Sequence, residues 1–266
     1  MNLCQLSEVR HDIGYLAHWK DCQHDDDDHD KLMKAELVTL GCRNGVGWAV
    51  DDVSGAILPA DGSGNAIEED MHVFKTMGVY VKVPRALARG KKIIRTRWID
   101  VNKGDEANPD LRSRLVGKEL ADSIDPSQCA ATPPIEAVRL ILSRAATTIP
   151  GKEDKIIMTN DVRRAYVHAT IEREVYTEVP NDDKKAEDGD VLGRLKLCLY
   201  GTRDAAHRWQ QTVSEQLEGL GFKRGLAHPA VFHHAERDLM TLVHGDDYFS
   251  SGMQADLAWL EGVLVK

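Results

Sequence analysis

The sequence predicts an α+β fold in which an antiparallel sheet carries helices on one face. Three observations point there. Short runs rich in Val, Ile, Leu, Tyr and Phe recur between Gly, Asn, Asp and Pro, as strands do. Two longer stretches carry apolar residues at spacings of three and four, as amphipathic helices do. The two kinds of segment alternate without the strand-helix-strand rhythm of a parallel sheet.

In chain order, "PADGSGNA" (59–66) reads as a flexible linker and sets a domain boundary near residue 65. "IEEDMHVFKTM" is a short helix with acids in its first turn, where the helix dipole favours them. "VYVKV" and "KIIRTRWIDV" are strands, and "NKGDEANPD" is a hairpin loop leading to the returning strand "LRSRLVG". Alternation puts Arg112, Arg114 and Val116 on one face of that strand and Leu111, Ser113 and Leu115 on the other. "PPIEAVRLILSRAATT" begins with Pro and offers Ile135, Val138, Leu142 and Ala145 as one helical stripe. "KIIMTND" is a strand ending at Asp161, and "EVYTEVP" and "VLGRLKLCLYG" add further extended segments. "RDAAHRWQQTVSEQLEGLG" is the strongest helix, with Trp209, Val213 and Leu217 in line and Gly219 and Gly221 at its end. "AVFHH", "LMTLV" and "YFSSG" are strands, and "QADLAWLEGVLV" is a last helix.

The 266 residues suffice for one large or two small domains with real cores. No apolar run approaches the roughly 20 residues that span a bilayer. The first residues lack the layout of a secretory signal. Five scattered cysteines, Cys4, Cys22, Cys42, Cys129 and Cys198, fit reduced thiols in an intracellular protein. The net charge of −9 is unevenly spread. Residues 1–80 hold 15 acidic and 6 basic side chains, whereas residues 82–118 hold 11 basic and 4 acidic. A basic block of this kind is either a solvated strand face or a polyanion-binding surface. The run "CQHDDDDHDK" repels itself and stays solvated, with a metal reading through His24 and His29 as the alternative.

Two features carry chemistry. "LVHGDDYFSS" puts Asp246 and Asp247 between two strands, where they serve either as ordinary turn residues or as metal ligands. Asp161 ends an apolar strand, where an ionised group needs a partner. If that strand lies beside the 239–251 hairpin, the three carboxylates meet. Two of them about 4 Å apart repel by roughly 4 kcal/mol at an effective dielectric of 20. Divalent cations relieve that repulsion, and Mg²⁺ prefers such oxygen ligands and keeps sites for phosphates.

From about residue 68 to the end, the sequence resembles the reverse transcriptase of copia-type LTR retrotransposon Pol polyproteins. "TNDVRRAYVHATIEREVYTEVP" resembles the first palm motif, "LYGTRDAAHRWQQTV" the segment opening a palm helix, and "LVHGDDYFSSG" the aromatic-x-Asp-Asp hairpin. "RTRWIDVNKG" and "LRSRLVGKE" resemble the basic fingers strands. The resemblance implies a right-hand fold. Residues 1–65 would be an acidic leader, 66–133 a fingers-like region and 134–266 a palm-like region. It implies that Asp161, Asp246 and Asp247 are catalytic and hold Mg²⁺ or Mn²⁺, with the Val162 carbonyl as a further ligand. Tyr166 would lie under the sugar of the incoming nucleotide, and Arg112 and Arg114 would reach triphosphate or template. The implied partners are an RNA template, a DNA primer and deoxynucleoside triphosphates, with no membrane. The implied location is a cytoplasmic particle or the nucleus. The implied reaction is RNA-directed two-metal nucleotidyl transfer; the alternative is a non-catalytic relic that keeps the fold and weak nucleic-acid binding.

The sequence departs from the family at His244-Gly245, which stand where Tyr-Val is usual. It departs again at Asp204, Ala206 and His207, in place of Gln, Pro and Arg. Gly245 is expected to loosen the hairpin, and Asp204 to repel phosphates. The matching region stops soon after the catalytic hairpin, so no thumb and little processive synthesis are expected.

Overall fold

The computed structural model describes residues 48–105, 107–119, 130 and 132–264. The aspartate run with His24 and His29, and every cysteine but Cys198, lie outside the described residues. Cys198 is a free, fully buried thiol. The chain divides into two units, residues 1–61 and 62–266. In the first, β1 (Trp48–Val50) pairs antiparallel with β2 (Ile57–Pro59). Its turn is tied by the Asp51 carboxylate, which accepts from the amides of Val53 and Ser54 at 2.8 and 2.7 Å.

Helix α1 spans Ala60–Met77 and so includes the stretch read as a flexible linker. The Gly and Ser residues there are tolerated because the helix's stability comes from packing, not propensity. Met71 and Phe74 enter the main core beside Val79. Strands β3 (Tyr80–Pro84), β4 (Ile93–Ile94), β5 (Thr96–Asn102) and β6 (Leu111–Gly117) follow. β5 and β6 form the expected hairpin, with Ile99 opposite Arg114 and Val101 opposite Arg112. The alternation of β6 holds: Ser113 and Leu115 are buried, while Arg112 and Arg114 are exposed.

Helix α2 (Ile135–Ala146) buries a different stripe from the one its spacing suggests. Ala137 and Ile141 are buried, with Val138 beside them, whereas Ile135 and Leu142 are about half exposed. An apolar residue on nearly every turn left more than one stripe available, and the sheet covers the one that carries Ala137 and Ile141. Strands β7 (Ile156–Asp161), β8 (Tyr176–Glu178) and β9 (Val191–Leu195) are followed by helix α3 (Ala205–Gly219). The α3 stripe is as expected, with Trp209, Val213 and Leu217 buried. Then come β10 (Lys223–Arg224), β11 (Val231–His234), β12 (Leu239–His244), β13 (Asp247–Gly252) and α4 (Gln254–Leu264).

Two larger sheets organise the second unit. One is antiparallel, in the order β10-β11-β12-β13-β7. The other runs β3-β9-β8-β4, with β4 and β8 parallel, and so joins strands from both sides of residue 133. The α+β class stands, but the helices do not lie on one face. Leu239, Val243 and Tyr248 point into the core with Trp209, Val213 and Leu217 of α3 and Leu257 and Leu260 of α4. Leu242, Met240 and Phe249 point the other way, against Ala137 and Ile141 of α2. Period-two alternation in β12 feeds both faces with apolar side chains. Among the described residues, no helix is long and apolar enough to cross a membrane.

Candidate active site

The five-stranded sheet brings three carboxylates to one end. β7 and β13 run antiparallel with Asp161 opposite Asp247, and β12 turns into β13 through Gly245 and Asp246. Oxygen atoms of Asp161, Asp246 and Asp247 all lie within 4.8 Å of one another. Asp161 and Asp247 are exposed and Asp246 is half-buried. The spacing follows from backbone pairing, since the Val162 amide donates to the Asp246 carbonyl at 2.9 Å. The donor set is oxygen-only, anionic and open to solvent. It therefore fits hard divalent cations with room for substrate oxygens.

The turn itself is held from below. Gly245 has φ +61, while Asp246 is not in the positive region. That is the pattern of a two-residue hairpin with glycine at its first central position. The expected loosening is therefore corrected: glycine is the residue this turn geometry favours. The indole N–H of Trp209 donates to the Gly245 carbonyl at 2.6 Å, anchoring the turn to α3.

Tyr166 lies in the short 3-10 turn Ala165–His168, directly after the β7 end. Burial, and secondarily the Asp246 carboxylate, push its phenol pKa up, which puts the ring in the electrostatic neighbourhood of the triad. Its ring is 4.5 Å from that of Tyr200. Tyr200 is half-buried, and burial raises its phenol to about 12 against the opposing pull of Arg114. The Arg114 guanidinium lies over the Tyr200 ring at 5.5 Å. Arg112 is paired with Asp110 at 2.8 Å, and Asp161 is among the carboxylates that raise its pKa. The structure thus brings Asp161, Asp246 and Asp247 together. Val162 adjoins them in the chain, the Asp246 carboxylate acts on the Tyr166 phenol, Arg114 lies over Tyr200, which packs against Tyr166, and Arg112 feels Asp161 electrostatically. Tyr200 was not singled out from sequence. Its signal was its place in "LYGTRDAAHRW", directly after the alternating Leu195, Leu197 and Leu199.

Asp204 does not stand as a free negative charge. Arg173 donates to it at 2.8 Å and to Glu119 at the same distance. Glu119 also accepts from the Arg203 amide at 3.1 Å. The expectation of phosphate repulsion from Asp204 is corrected, because the guanidinium groups of Arg173 and Arg203 together balance Asp204 and Glu119.

Residues 79–264 match the family described as reverse transcriptase (RNA-dependent DNA polymerase). The chain belongs to the reverse transcriptase family. It is also similar to the retrovirus-related Pol polyprotein from transposon TNT 1-94 of Nicotiana tabacum, at 27% identity over 210 residues. That similarity covers 76% of this chain and 15% of the polyprotein's length. The reverse transcriptase match contains both sheets, the β5–β6 hairpin and all three aspartates, and begins inside the main core at Val79.

Proposed function

We propose that this chain carries the active site of an RNA-directed DNA polymerase, acting by two-metal nucleotidyl transfer. The convergence of Asp161, Asp246 and Asp247 within 4.8 Å supports this reading above any other observation. In it, the five-stranded sheet with α3 and α4 is the palm. The basic β5–β6 hairpin belongs to the fingers, and the β3-β9-β8-β4 sheet joins the two regions. The three carboxylates and the Val162 carbonyl would hold Mg²⁺ or Mn²⁺. When bound, such ions activate an attacking 3′-hydroxyl and offset the charge on the leaving pyrophosphate.

The chain's own residues do the rest. β7–β13 pairing fixes the carboxylate spacing, and Trp209 fixes the turn. Tyr166, backed by Tyr200, forms the floor under the nucleotide sugar, where a half-buried ring leaves little room for a 2′-hydroxyl. Arg114 sits over the Tyr200 ring, suited to the triphosphate or a template phosphate. Arg112 is suited to a more peripheral phosphate, because its exposed pairing with Asp110 is readily exchanged. The substrates on this reading are deoxynucleoside triphosphates, a DNA primer and an RNA template.

The test is primer extension on an RNA template with Mg²⁺ or Mn²⁺. Extension by the wild-type chain that disappears in Asp246→Asn supports the proposal. Metal-independent extension, or extension unchanged in Asp246→Asn, overturns it.

A further inference from the structure

A buried carboxylate outside this machinery bridges its two halves. Asp70, on α1, is 2% exposed. Its Oδ1 accepts from Arg164 Nε at 2.7 Å, and its Oδ2 accepts from the Leu115 amide at 3.2 Å. The two partners belong to the two halves of the site. Leu115 follows Arg114 in β6. Arg164 lies three residues after Asp161 and two before Tyr166.

Each partner has a reason to need this carboxylate. β6 pairs only with β5 in its sheet, so alternate amides on its outer edge face away from the ladder. One of these, Gly117 N–H, donates to the Tyr200 carbonyl at 2.7 Å. The next one along, Leu115 N–H, is taken by Asp70. Arg164 has φ 55 and ψ 42, a left-handed conformation uncommon for a residue with a side chain. That conformation turns the chain from the strand end at Asp161 into the 3-10 turn that carries Tyr166. The ion pair with Asp70 holds it, with Glu69 a further 3.8 Å contact to the same guanidinium.

We infer that Asp70 is a positioning residue that couples β6 to the Asp161–Tyr166 segment and so sets the distance between Arg114 and the triad. The coupling does not require metal or nucleotide; its consequence for substrate binding rests on the polymerase reading above. Because the β7–β13 ladder and the Trp209 bond to the Gly245 carbonyl hold the carboxylates without Asp70, loss of Asp70 leaves the cation site in place and displaces the triphosphate-binding groups. Small displacements matter, since a misplacement of about 1 Å can lower a rate by on the order of a hundredfold.

The test uses the full chain with Asp70→Asn and Arg164→Gln, and Ile141→Val as a destabilised control away from Asp70. Amide hydrogen exchange is read along residues 111–117, 162–168 and 239–252, and affinities are measured for Mn²⁺ alone and for Mn²⁺ with a deoxynucleoside triphosphate. The expected result is joint loss of protection at Leu115 and Val167 in both Asp70→Asn and Arg164→Gln, with the β12–β13 amides unchanged. Mn²⁺ affinity should stay within about twofold and triphosphate affinity fall by about tenfold, a loss the Ile141→Val control does not show. Loss confined to one of the two segments, or triphosphate affinity equal to that of the control, overturns the inference. If the wild-type chain binds Mn²⁺ but no triphosphate, the polymerase reading fails, and the exchange data still decide the coupling: joint loss upholds it and separate loss overturns it.

Discussion

Asp161 stands opposite Asp247 in the β7–β13 ladder, and the adjoining Val162 amide donates to the Asp246 carbonyl at 2.9 Å. The spacing of the carboxylates is therefore a property of backbone pairing. A residue slip of either strand would send one aspartate to the opposite face.

The turn of the hairpin should resist side chains at its first position. Gly245→Val places a β-branched residue at φ +61, so it should lower stability by about 1–3 kcal/mol. Urea unfolding should show a lower midpoint with an unchanged slope.

Trp209→Phe keeps most of the ring and removes the donor to the Gly245 carbonyl. Stability should fall by about 1 kcal/mol. Primer extension should fall further than stability accounts for, because the turn that carries Asp246 loses its tether. Equal activity per folded molecule would separate this hydrogen bond from the chemistry.

The Glu119–Arg173–Asp204 group should behave as a partly buried ion cluster. Arg173→Met leaves two nearby carboxylates without their shared cation and should cost about 1–3 kcal/mol. Asp204→Asn in the same background should recover part of that loss, measurable as coupling in a double-mutant cycle.

Acid should weaken the fold through Asp183. Burial opposes its ionisation, but the Tyr80 hydroxyl and the ammonium groups of Lys75 and Lys82 outweigh that and hold its pKa below the usual aspartate value. A depressed folded-state pKa means the stabilisation is complete above the unfolded value, roughly 3.9, and is lost as pH falls through the folded one. Unfolding midpoints measured between about pH 2.5 and 6 should therefore fall more steeply in the wild type than in Asp183→Asn.

Much of the site was legible because its elements announce themselves locally. Strand ends mark Asp161 and the Asp246-Asp247 pair, and the helical stripe of Trp209, Val213 and Leu217 is unambiguous. What was missed depends on tertiary pairing. Asp204 reads as repulsive until Arg173, distant in sequence, is found beside it. Gly245 reads as slack until the sign of its φ is known. Asp70 looks like one more acid in a helix's first turns, and its burial between Leu115 and Arg164 has no sequence signature. The α2 stripe failed because apolar residues occur on more than one face, and only the sheet decides which face is covered.

On the proposed reading, Asp161, Asp246 and Asp247 form one divalent-cation site. Titration of the chain with Mn²⁺, followed by the loss of the free-ion paramagnetic signal, tests it most directly. The expected result is saturable binding by the wild type, weakened at least about tenfold in Asp161→Asn combined with Asp246→Asn, since each removed carboxylate takes away a hard ligand. Binding of equal strength in the wild type and the double variant would contradict the account.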